Sequence, residues 1–149
     1  MADASVNDPY NLQRFVDAQD PVFDEVRAEL RAGCKRGHWM WFIFPQIKGL
    51  GRSQLASTYA INSREEAAAY LGHRVLGPRL RECTRLVNLV AGRSIEDILG
   101  YPDDRKFRSS MTLFAHASND NQVFLDALEK YFDGDSDRLT LAQMDADVC

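Results

Sequence analysis

Residue types suited to chemistry crowd into one stretch, His38 to Ser53 (HWMWFIFPQIKGLGRS). His38 adjoins a dense apolar run and is the histidine best placed for general acid–base work near neutral pH. Trp39 and Trp41, the two tryptophans of the chain, offer flat faces to a ligand ring. Gln46 adds a polar group just after Pro45. Gly49 and Gly51 let the backbone approach a ligand closely, and Arg52 supplies a planar donor fork. Ser53 is placed to open a helix whose free N–H groups attract phosphate. An apolar wall beside a few aimed polar groups is the usual make-up of a pocket. The competing reading is plain packing, since aromatic runs are usually core and a lone G-x-G is common in turns.

A second group lies in Tyr101–Phe114. Asp104, or its neighbour Asp103, would serve as a carboxylate base, with Lys106, Ser109 and Ser110 holding an anion one or two turns along. Against this, an acidic first turn also simply complements the helix dipole. Ser110 has no G-x-S-x-G elbow around it, so a nucleophilic role is not expected. Cys34, Cys83 and Cys149 form no C-x-x-C pair, and His38, His73 and His116 are far apart. No metal site and no cofactor are expected, and the sparse thiols fit a reducing compartment.

The elements that must position these groups read as helices. Leu12, Phe15 and Val16 predict a short helix over 11–18, and Asp20-Pro21 a second one running to about Arg31 and stopped by Gly33. Arg27, Arg31 and Lys35 would form a charged stripe on it, either solvated or anion-binding. Helices over 54–60, capped by Ser53, and over 64–72, opened by the S-x-x-E box of Ser63 and Glu66, follow. The best amphipathic stripe, Leu76, Leu80, Cys83, Val87 and Val90, predicts the central core helix. Ser94 starts a short helix ended by Gly100. In the helix after Asp103, Phe107, Met111 and Phe114 should face the core. Arg105, Ser109, Thr112 and His116 should then face solvent, with Lys106 and Ser110 between. A last clear helix, capped by Asn119 or Asp120, carries Phe124, Ala127, Leu128 and Tyr131 and ends at Asp133-Gly134. Only 41–47 has any strand character. The expectation is an all-α, compact single-domain bundle of about six to eight short helices. It would span 9–142, between a flexible tail at 1–8 and a frayed acidic end at 143–149.

The 149 residues carry 18 basic and 22 acidic side chains, a net charge of −4. No global basic field is present to draw in nucleic acid, so no nucleic-acid partner is expected. No apolar run approaches the roughly 20 residues of a membrane helix, and MADASVNDPY has no secretion signal. The expectation is a soluble cytoplasmic protein without membrane attachment.

With these motifs in view, the chain resembles the bacterial and fungal family called domain of unknown function 1810. The likeness rests on Asp8–Phe15, His38–Gln46, Gly49–Ser53, Tyr59–Ile61, Leu76–Leu80 and Asp103–Phe114, and it covers about residues 8–132. It implies a compact, mainly α-helical domain and no settled activity. Members often carry the label calpastatin, a disordered repeat protein, but this chain has neither repeats nor a disorder-type composition. A distant similarity to the NADAR superfamily of N-glycosidases matches no catalytic motif, so it transfers no residue. Taken together, the expectation is a binder or enzyme for a small anionic, nucleotide- or ADP-ribose-like ligand, of hydrolase or N-glycosidase type. The alternative is a non-catalytic module docking a protein partner through the aromatic segment 38–46.

Overall fold

The computed structural model describes residues 8–146. Among them the chain forms ten helices and one isolated parallel bridge, Ile47 to Ile61. Ahead of the first helix, Asp8 accepts the N–H groups of Leu12 (2.7 Å) and Gln13 (2.9 Å). The rest of the tail expected at 1–8 lies outside the described residues.

α1 (Gln13–Gln19) and α2 (Phe23–Ala32) are joined through Asp20, whose N–H bonds the Val16 carbonyl and closes α1. Asp20 was expected to open the second helix; that helix starts three residues later. Gly33 ends α2 in the left-handed conformation, φ +70°, where a side chain would be strained. The charged stripe expected on α2 is broken up. Arg27 pairs with Asp24 and Glu82, and Lys35 lies beyond the helix and pairs with Asp103.

The aromatic run is not a strand. It forms one turn, α3 (Met40–Ile43), and buries Trp39, Met40, Ile43 and Phe44. The caps on the next helices follow sequence closely. Ser53 accepts the Ala56 N–H at the start of α4 (Gln54–Thr58), and Ser63 accepts the Glu66 N–H at the start of α5 (Arg64–Gly72). Ser94 and Asp97 form a reciprocal capping box on α7 (Ile95–Leu99).

α6 (Leu76–Leu89) buries Leu76, Leu80, Cys83 and Val87 as the stripe predicts, and packs on α2, α5 and α9 (Gln122–Phe132). The central position belongs equally to α8 (Asp103–Ala117), which packs on α5, α7, α9 and α10 (Arg138–Ala146). α8 buries an unbroken run, Ser109 through Ala115. Ser109 and Thr112, expected in solvent, are covered because α10 lies over that face. The Thr112 hydroxyl accepts the Asp137 N–H at 2.9 Å.

α9 is preceded by Asn121, not capped by Asn119 or Asp120. Asp133, left-handed at φ 55°, closes it. α10 was not expected at all. It continues through Ala146 and places Met144 fully in the core; residues 147–149 of the end expected to fray lie outside the described residues. No helix among the described residues is long and apolar enough to cross a membrane.

Candidate functional site

Three segments distant in sequence meet at one groove of about 500 Å³. The loop after α3 contributes Gln46, Leu50 and Gly51. The approach and first turns of α8 contribute Pro102, Arg105, Lys106, Arg108 and Ser109. The start of α10 contributes Asp137 and Leu139. Its volume suits a small organic ligand.

Local chemistry fixes each wall. Gln46 is held by the bridge that follows α3, where its carbonyl accepts the Ile61 N–H at 2.9 Å. Gly49 has φ +91° and lies against the Gln143 side chain of α10, leaving no space for a Cβ. Gln143 in turn donates to the Lys48 carbonyl at 2.9 Å, so the glycine loop is pinned to the last helix. At the other side, Arg108 donates to the carbonyls of Asp135 (3.0 Å) and Ser136 (3.2 Å) and lies over the Phe132 ring. That arginine is committed to shaping the turn before α10. Arg105 is different: it is exposed, stacks 5.0 Å from the Tyr101 ring and makes no side-chain hydrogen bond within the described residues. Its donor fork is open to the groove.

Lys106 sits 4.7 Å from the Trp41 ring centroid. Asp103 is shared between Lys106 (3.6 Å) and Lys35 (2.9 Å), and Lys35 lies over Trp39. Beside Trp41 is a nook of about 10 Å³, walled by Gln46, Gly49, Gly51 and Tyr59. That holds about one water molecule, so no ligand ring enters there.

Of the residues singled out in the sequence, Gln46, Gly51, Lys106 and Ser109 line the groove, and Trp41 and Gly49 line the adjoining nook. The others do not converge. His38 is exposed and lines neither space. Asp104 accepts the N–H of Arg105 at 2.9 Å, the local helix-start role that competed with a catalytic one. Trp39 is core, 3 % exposed. Arg52 is exposed outside both spaces, and Ser53 spends its hydroxyl on the α4 cap. Ser110 is fully buried, its hydroxyl without a partner among the described residues. Within 38–46, the segment considered as a docking surface, Trp39, Met40, Ile43, Phe44 and Pro45 are buried, while His38 is exposed and Trp41, Phe42 and Gln46 are half-buried.

Six groove residues were not among the expected site residues: Leu50, Pro102, Arg105, Arg108, Asp137 and Leu139. Arg105 and Arg108 sit one turn apart, a spacing that signals a shared face. Leu139 and Asp137 gave one weak signal, the D-x-x-T pattern of a helix start at Asp137–Thr140.

The solved structure of the conserved hypothetical protein Rv1873 from Mycobacterium tuberculosis is similar to this chain throughout. The two share 62% identity over 93% of this chain and 99% of that one, with a TM-score of 0.92. No curated protein matches. The family described as protein of unknown function (DUF1810) matches residues 9–144, and with nearly the whole folded domain inside that match, the chain belongs to this family.

Proposed function

We propose that the groove between the glycine loop, α8 and α10 binds a small anionic, nucleotide-like ligand. The observation that carries this reading is Arg105, a guanidinium on the groove wall with no side-chain acceptor among the described residues, one residue from Lys106. A planar fork beside a point charge is a common way to hold phosphate or carboxylate. Leu50, Pro102 and Leu139 supply the apolar surface that the rest of such a ligand covers. Gln46 and Ser109 add neutral polar groups that orient it.

His38 and Asp104, the groups suited to acid–base work, do not line the groove, so the proposed role is binding. A thermal-shift and calorimetric screen over nucleotides, ADP-ribose derivatives and sugar phosphates tests the proposal. Arg105→Ala should weaken the best ligand by roughly tenfold or more, the worth of a charged hydrogen bond. Arg52→Ala should leave it unchanged. If Arg105→Ala binds as well as the wild type, the groove is not the anion site.

A further inference from the structure

Among the described residues the groove has one acidic side chain, Asp137, and its wiring bears on what the ligand carries besides its anion. Asp137 caps α10 with a single oxygen. Its Oδ2 accepts the Thr140 N–H at 3.0 Å and the Thr140 hydroxyl at 2.6 Å, and lies 3.2 Å from Ser109 Oγ. Oδ1 has no hydrogen-bond donor among the described residues, and the residue faces the groove. An ionised carboxylate offers about four lone-pair positions and only accepts. Helix capping therefore uses one half of this group and leaves the other half for donors entering the groove.

A carboxylate repels an anion that fills the whole space, yet Arg105 and Lys106 attract one. The two requirements are met together by a ligand with its anion at the α8 end and O–H donors at the α10 end. Gln46, which both donates and accepts, suits the same polyhydroxy surface. We infer that the groove selects phosphorylated sugars, with phosphate on Arg105 and Lys106 and a sugar hydroxyl donating to Asp137 Oδ1. This rests on the anion-site reading above and names the ligand class for it.

The test titrates the whole protein with ribose 5-phosphate and with butyl phosphate, which has the same anionic group and no hydroxyl. Ribose 5-phosphate should bind about tenfold tighter or better, as expected for hydrogen bonds to a charged acceptor. Asp137→Asn keeps a good helix cap and should bring the ratio close to one without weakening butyl phosphate. Equal affinities in the wild type, or a ratio unmoved by Asp137→Asn, overturn hydroxyl recognition and leave the anion site standing. If neither phosphate binds, both readings fall. The wild-type comparison decides the matter even where the substitution disturbs α10.

Discussion

Trp39 and Trp41 lie one residue apart and meet opposite surroundings. Trp39 is 3 % exposed, donates its indole N–H to Glu29 at 2.9 Å and packs on Phe44. Trp41 is half-buried under Lys106 at the edge of the groove. Removing Trp39 therefore opens a core cavity and orphans a carboxylate contact. Trp39→Ala should cost about 3–5 kcal/mol, and Trp41→Ala about 1–2 kcal/mol, in proportion to its smaller burial. Urea midpoints measure both; equal losses would contradict the assignment. At this scale the sequence showed which residue types gather near the glycine loop and how α8 is faced. It did not show what covers each face. Ser109 reads as solvent-facing until α10 lies on it, and Asp137 enters the groove from a segment far along the chain from the glycine loop. Nothing local announces such a meeting.

Among the elements, α1 is fastened by Arg14 more than by its length. The guanidinium donates to the carbonyls of Tyr10, Asn11, Thr58 and Ala60 at 2.7–2.9 Å and pairs with Glu66 at 3.0 Å. Glu66 is 2 % exposed and also accepts from Asn62, so losing the cation strands a buried carboxylate. Arg14→Met should destabilise by about 3 kcal/mol, and exchange of the amides in α1 and α4 should quicken. A loss well under 1 kcal/mol would refute this wiring. Helix identity was largely legible because caps act locally: Ser53, Ser63 and Ser94 each stand where their helices begin. α10 was not legible. Its apolar residues make no clear buried stripe (Leu139 is largely exposed, Met144 is in the core) and its neighbours are acidic, so only tertiary contacts such as that of Gln143 with the glycine loop reveal it.

For the molecule as a whole, Glu29 makes acid stability sensitive to one carboxylate. Burial alone would push its carboxyl up. The N–H groups of Arg36, Gly37 and Trp39, with the Lys35 charge, outweigh this and hold it below the ordinary 4.5. A depressed value means the group stabilises the fold fully above 4.5, where it is ionised even unfolded, and stops doing so as pH falls through the lowered folded value. Glu29→Gln should flatten the acid limb of stability below pH 4.5; wild-type and variant unfolding curves running parallel from neutral to acid would disprove it. The contrast between the two indoles also has an optical consequence. Trp39 should emit at short wavelength and resist iodide or acrylamide, responding only when the chain comes apart. Trp41 should emit further to the red and dim in those quenchers, so a bound solute nearby would shield it while leaving its partner's light unaltered.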